Sequence, residues 1–269
     1  MALFDVHAHL THPRLLPHID EILDRARAAG VTTIISNGLN LEDNVAVAAL
    51  AAAHPALVRP AFGLYPVDAV LPELHALGHD TPRQPAAWTA EDTVHWVQDH
   101  VDDAVAVGEI GLDGHWVPDA LWDRQEEVFR SLVSVAIRAD KPIIIHTRKR
   151  EQRVFEVLSE MGARRVNWHC FGGRVKLARR AAVELGHHFS IPANAPRSQS
   201  FTRMLETLPA DKVLLETDCP YLAPKPDTTN EPGNVAGTAA YAATLWNLSI
   251  EATEERLCAN FQALFGFAP

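Results

Sequence analysis

The sequence predicts an α/β fold, a single (β/α)8 TIM barrel, and three observations carry that expectation. Short apolar runs alternate with stretches of helical periodicity along the chain, and no hairpin signal joins neighbouring runs. Eight such runs can be counted, the number at which a parallel sheet closes on itself. The 269 residues match the roughly 250 typical of one barrel, so residues 1–269 are expected to form one domain. A doubly wound open sheet is the alternative, but no stretch resembles its glycine fingerprint.

The opening run, Ala2 to Phe4, leads into Asp5-Val6-His7-Ala8-His9. Residues 18–29 carry helical spacing of Ile19, Ile22, Leu23 and Ala26, and Gly30 supplies the stop. Residues 31–35 read as a buried strand, 41–53 as a helix and 58–62 as the third strand. From 63 to 87 the pattern lapses into a long loop punctuated by Pro66, Pro72, Pro82 and Pro85, with one short helix near 70–77. A helix at 88–100 precedes a fourth strand at 104–107, which runs into Gly108-Glu109. The long helix at 119–139 places Phe129, Leu132, Val133, Ala136 and Ile137 on one face, and Lys141-Pro142 ends it before Ile143-Ile144-Ile145-His146, the clearest buried strand. Helix 151–161, strand 166–169, helix 174–185, strand 188–191, helix 198–208 and strand 213–218 follow, and helices 235–248 and 250–264 close the chain.

Composition narrows the function classes. A content of 47% hydrophobic and 22% charged residues is that of an ordinary globular protein. The formal net charge of −10 repels polyanions at long range, so a nucleic-acid substrate requires local basic residues or bound metal. Cys170, Cys219 and Cys258 are too few and too scattered for a disulfide framework, and no basic-then-apolar leader or membrane-length apolar run is present. A cytoplasmic, soluble protein without membrane partners is expected, with a monomer as the simplest assembly.

In a strand, His7 and His9 point the same way and can grip one ion. With 14 histidines in the chain that pair alone is weak; its position strengthens it. Glu109 follows the fourth predicted strand, His146 the fifth, His169 the sixth and Asp218 the eighth. The ends of barrel strands meet at one mouth, where active sites of this architecture sit. Imidazole and carboxylate donors together suit zinc, manganese or nickel, whereas calcium prefers an all-oxygen shell. Six donors exceed the needs of one tetrahedral zinc, so two ions sharing Glu109 is the economical arrangement.

These residues lie in blocks that resemble the signatures of the TatD family of metal-dependent hydrolases. The blocks are Asp5 to His9, Gly108-Glu109-Ile110-Gly111-Leu112-Asp113, Ile145-His146-Thr147-Arg148, His169-Cys170-Phe171 and Glu216-Thr217-Asp218-Cys219-Pro220-Tyr221-Leu222, with Arg124-Gln125, Glu231-Pro232-Gly233-Asn234, Asn260 and Leu264-Phe265-Gly266 in support. The resemblance spans essentially the whole chain in the family's order. It implies a barrel of the metal-dependent hydrolase type and a phosphodiesterase acting on DNA, that is, a deoxyribonuclease. It also implies two divalent ions (zinc, manganese, magnesium or nickel), one held by His7, His9 and Asp218, the other by His146 and His169, with Glu109 between. Two departures fall on the substrate side. Gly63-Leu64-Tyr65-Pro66 stands where many relatives carry Gly-Ile-His-Pro, and residues 189–194 lack an expected glycine.

Asp218 is the candidate for orienting and deprotonating the attacking water, alongside Glu109. Arg148 is expected to pair with a phosphate oxygen, with Lys149, Arg150 and Arg153 extending the positive potential. Tyr65 is expected to donate a hydrogen bond to substrate, since a phenol with a pKa near ~10 is a poor proton shuttle. Arg174, Lys176, Arg179 and Arg180 read as a solvated helix face. Glu216 is expected to act as a hydrogen-bonding or ion-pairing carboxylate beneath the site, and Trp116 as lid packing or a stacking platform. Cys170 and Cys219 are expected to turn away into packing, and His12, His115, His187 and His188 to be surface or loop histidines. Two other functions remain on the table: hydrolysis of a small amide, lactone or ester, and a non-catalytic binding protein with a vestigial metal site.

Overall fold

In the computed structural model, which describes residues 2–79, 81, 83 and 87–269, eight parallel strands follow one another in chain order around a nearly closed barrel. They are β1 (Leu3–Ala8), β2 (Val31–Asn37), β3 (Val58–Phe62), β4 (Ala106–Asp113), β5 (Ile143–Arg148), β6 (Val166–Trp168), β7 (His188–Ile191) and β8 (Val213–Leu215). Between and after them run α1 (Ile19–Ala28), α2 (Leu41–Ala53), α3 (Leu71–Ala76), α4 (Ala90–His100), α5 (Trp122–Arg138), α6 (Glu151–Glu160), α7 (Val175–Arg180), α8 (Gln199–Thr207), α9 (Val235–Trp246) and α10 (Ile250–Phe265). Beyond the end of β8 two backbone bonds bridge the remaining gap to the first strand: the Asp218 N–H donates to the His7 carbonyl and the His9 N–H to the Cys219 carbonyl, both at 2.9 Å.

Local chemistry sets the elements. Every residue of β1 and of β4 is buried, as expected of parallel strands covered on both faces. Asn40 caps α2 by accepting from the Asp43 N–H, Thr89 and Asp92 form a reciprocal capping box on α4, and Gly30 ends the turn after α1 with φ +86°. Phe4 packs on Phe261 at 4.8 Å between ring centres, tying β1 to α10, and Trp168 stacks on Phe189 at 5.9 Å across β6 and β7. The apolar core fills the space between the strands and the helical ring.

Three sequence expectations are corrected. The fourth strand does not stop at Val107 but continues to Asp113. Gly108 and Gly111 look like breakers in sequence, yet they sit where β4 and β5 run too close for side chains: a Cβ on Gly111 would lie 1.8 Å from the His146 carbonyl oxygen, and one on Gly108 2.6 Å from Ile144 Cβ. The helix read at 174–185 is α7 followed by a π turn over Ala181–Leu185. His187 and His188 are buried, not at the surface. Pro82 and Pro85, assigned to the long loop, lie outside the described residues.

His187 has a structural role that fixes its protonation. Its Nδ1 accepts from Trp168 Nε1 at 3.0 Å, so the ring proton is on Nε2, which donates to the Ala163 carbonyl at 3.0 Å. Burial pushes its pKa down to about 4. The unfolded chain therefore binds a proton below pH ~6.5 that the folded chain refuses until about pH 4. The contribution of this histidine to stability is complete above that upper value and is lost as pH falls through the window, to a total of roughly 3 kcal/mol. Imidazole nitrogen spectra are expected to show His187 neutral and Nε2-protonated at pH ~5; a titration centred near ~6.5 contradicts the assignment.

Candidate metal centre

The six donors singled out in the sequence meet at the C-terminal mouth of the barrel. His7 lies in β1 and His9 just beyond it, Glu109 inside β4, His146 in β5, His169 immediately after β6 and Asp218 beyond β8. The eighth strand ends at Leu215, short of the 213–218 read from sequence, and Asp218 three residues on adopts φ +56°.

Glu109 stands at the middle. Its Oε2 faces His7 Nε2 at 3.4 Å and His9 Nε2 at 3.5 Å, and its Oε1 faces His146 Nδ1 at 2.9 Å and His169 Nε2 at 3.2 Å. Asp218 Oδ1 adds a further oxygen 3.3 Å from His9 Nε2 and 3.7 Å from His7 Nε2. Three groups able to hold a metal result: His7 with His9 and Glu109, Glu109 with His146 and His169, and His7 with His169 and Glu216; Glu109 is common to the first two.

The outer nitrogens have partners that would leave the inner ones free once a cation sits at the centre. His146 Nε2 lies 3.1 Å from Asp113 Oδ2, which only accepts, so a metal-bound ring would keep its proton on Nε2 and turn the Nδ1 lone pair inward. His9 Nδ1 lies 3.3 Å from the Asn37 carbonyl, which would likewise take that ring's proton and leave Nε2 for the cation. Behind His169, Glu216 Oε2 sits 3.7 Å from Nδ1 and is itself held by the Ser190 hydroxyl at 2.5 Å, while its Oε1 accepts from the Cys170 N–H at 2.8 Å. Glu216 thus supports His169 from below. His7 and His9 bring their Nε2 atoms within 3.2 Å of each other beside Glu109 Oε2. A cation satisfies three converging acceptors at once, whereas a single proton serves one pair.

Electrostatics agree with that fit. Burial opposes charge on Glu109, but the imidazoles of His169, His146 and His7 outweigh it and hold the carboxyl well below its usual range. Asp218, against the same burial, is held low by His9 and His169. In return, Asp218 and Glu109 raise His9, while Asp113 and Glu109 raise His146, and Glu109 and Glu216 hold His169 well above the ordinary imidazole value, each against burial. Only His7 goes down, to about 4, from burial and its stacked neighbour His169. The pocket keeps Glu109 and Asp218 anionic and draws positive charge onto His9, His146 and His169, while burial raises Glu216.

A cavity of about 970 Å³ opens above the centre, and Arg148, Lys149, Tyr65 and Trp116 are among its walls. Among the described residues, Arg148 and Lys149 form no ion pair, so both are available to an anion. Arg150 and Arg153 are spent elsewhere, the first over the Trp122 ring at 4.0 Å and the second on Glu126 at 2.8 Å, which corrects their expected part in the positive potential. Tyr65 packs edge-on against His146 at 4.9 Å between ring centres, and burial drives its phenol far above its usual pKa, so it stays a donor. Cys219 is buried, and Cys170 packs against the core as expected while also lining the cavity. Arg174, Lys176, Arg179 and Arg180 are exposed, as read.

Asp113 is the residue that sequence reasoning missed. It lies within the Gly108 to Asp113 block, four residues beyond Glu109 and so on the same strand face once β4 is allowed its full length. Its other oxygen accepts from the His115 and Trp116 N–H groups at 2.7 and 2.8 Å, which fixes its direction toward His146. Asp113→Asn is expected to weaken metal binding about 10- to 100-fold without unfolding the chain. Chelator competition measures this, and an unchanged affinity removes Asp113 from the centre.

The family model described as TatD related DNase matches residues 4–266. The uncharacterized metal-dependent hydrolase YabD of Bacillus subtilis (strain 168) is 31% identical over 269 residues, covering 98% of each chain. The deoxyribonuclease TATDN3 of Homo sapiens is 28% identical, covering 98% of this chain and 95% of its own. Among solved structures, the TatD homolog YJJV of Escherichia coli K12 superposes with a TM-score of 0.83 at 27% identity, over 98% of both chains.

Proposed function

Since the chain belongs to the TatD family and is a metal-dependent hydrolase of that family, we propose that it cleaves phosphodiester bonds, with DNA as the substrate class and two divalent ions at the mouth of the barrel. The observation that carries this reading is the position of Glu109, each of whose carboxylate oxygens faces its own pair of imidazole nitrogens. His7, His9 and Asp218 would hold one ion, His146 and His169 the other, and Glu109 would bridge them. Bound there, zinc, manganese, magnesium or nickel supplies Lewis-acid activation of water and neutralises charge gathering on the attacked phosphate.

The remaining steps belong to the protein's own side chains. Asp218, kept anionic beside His9, orients the attacking water and takes its proton. Arg148 and Lys149 on the cavity wall pair with phosphate oxygens, and give this acidic molecule a local attraction for a polyanion. Tyr65 donates a hydrogen bond to substrate and does not shuttle protons, because its phenol stays protonated at every working pH. That same substitution for the family's histidine supports a second reading, hydrolysis of a small amide, lactone or ester, in which the centre polarises a carbonyl.

The test is protein replenished separately with each of the four metals and assayed against single-stranded DNA and a panel of lactones and amides. Release of nucleotides is expected. Turnover of the carbonyl panel with no nucleotide release under any metal transfers the assignment to the second reading, and a replenished protein that retains clearly less than one ion per chain supports the non-catalytic one.

A further inference from the structure

Resting on the phosphodiester reading, we propose that Tyr221 is a substrate-binding residue of this site, its phenol O–H aimed by His12 to donate to a phosphate oxygen. The two residues are placed by a matched pair of turns. His12 lies three residues past His9 and its N–H donates to the His9 carbonyl at 3.1 Å; Tyr221 lies three past Asp218 and its N–H donates to the Asp218 carbonyl at 2.9 Å. These two turns follow β1 and β8, the first and last strands of the barrel, and bring the rings together: Tyr221 lies 5.6 Å from His12 and 6.5 Å from His9 between ring centres. Each lines the cavity. The Tyr221 carbonyl is fixed from the other side by the Asn230 amide at 2.7 Å, which makes this wall a built surface and not a loose loop.

The proton inventory decides the direction of the phenol. His12 Nδ1 accepts from the Arg14 N–H at 3.1 Å, so the proton of the neutral ring is on Nε2. Nε2 lies 3.3 Å from the Tyr221 oxygen and therefore donates to it. With its oxygen accepting from His12, the phenol must turn its own hydrogen elsewhere, and among the described residues no protein acceptor takes it. The ring is half exposed and faces the cavity, so that hydrogen is offered to whatever enters. A phosphate seated over the centre presents oxygens that only accept. Tyr221 therefore reads the substrate as an anionic acceptor, complementary to Arg148 and Lys149, while His12 is a positioning residue that touches no substrate.

Inorganic phosphate titrated calorimetrically into metal-replenished protein tests the assignment, with bis-para-nitrophenyl phosphate as the turnover probe. Tyr221→Phe is expected to weaken phosphate binding about tenfold and to raise KM for the ester similarly, with kcat changed less than about twofold. His12→Ala is expected to give part of that loss, and His12→Gln to restore it, because the glutamine amide supplies the N–H that imidazole Nε2 provides; a merely structural tyrosine gives no such rescue. Phosphate binding to Tyr221→Phe as tight as to the parent overturns the inference alone, as does a His12→Gln variant no better than His12→Ala. A parent protein that binds no phosphate with any metal removes the phosphodiester reading and this inference with it.

Discussion

Glu109→Gln is expected to lose its metal and its activity together while the barrel stays folded. Glu109 is buried at the centre of β4, and both of its oxygens are used, one by each histidine pair. An amide is the same shape but neutral, and its nitrogen is a donor that cannot ligate a cation. The bridge therefore fails on one side and its charge is missing on both. Loss of a supporting partner outside the ligand set costs about 10- to 100-fold in metal affinity, so loss of the bridge is expected to exceed that. Hydrolysis is expected to fall by at least about a thousandfold, the order contributed by a positioned acid–base group, plus whatever metal loss adds. Metal content by emission spectroscopy, thermal melting and turnover, measured on one preparation, check the three parts. Unchanged activity with full metal content contradicts the bridging role.

Asp218→Asn is expected to separate chemistry from binding. The asparagine keeps the turn after β8, since the Asp218 N–H to His7 carbonyl bond that bridges the gap to the first strand is a backbone contact. Lost is the anion beside His9 that is proposed to take the proton from water. The expected result is a fall in kcat of about a hundred- to ten-thousandfold, with KM changed far less. The pH profile carries the sign. Because Asp218 is held below its ordinary value, it remains anionic throughout mildly acidic conditions and sets no acid limb there. His9, His146 and His169 are raised above theirs, so protons compete for their inner nitrogens already near neutrality. Activity is therefore expected to fall as pH drops, and the midpoint of that fall to move to lower pH when the metal concentration is raised. A midpoint indifferent to metal concentration contradicts this origin.

Much of the centre was legible before any geometry because strand ends in a closed parallel barrel converge, and six donor residues stood at or near such ends. What escaped notice did so for physical reasons. The full length of β4 was hidden by Gly108 and Gly111, which read as breakers but are demanded by the close passage of β5. With the strand cut short, Asp113 had no face to share with Glu109, and its hold on His146 was invisible. Arg150 and Arg153 follow Arg148 in sequence, yet the first turn of α6 carries them to Trp122 and Glu126, away from the mouth. His187 and His188 look like a polar turn; the Trp168 indole and the Ala163 carbonyl, distant in sequence, are what make the first of them a core residue.

Whether Glu109 joins two cation sites is read from anomalous diffraction of crystals grown with manganese. Two peaks per chain are expected on either side of the Glu109 carboxylate, one beside His7 and His9 and the other beside His146 and His169. A single peak, or peaks lying away from Glu109, would contradict the bridging role.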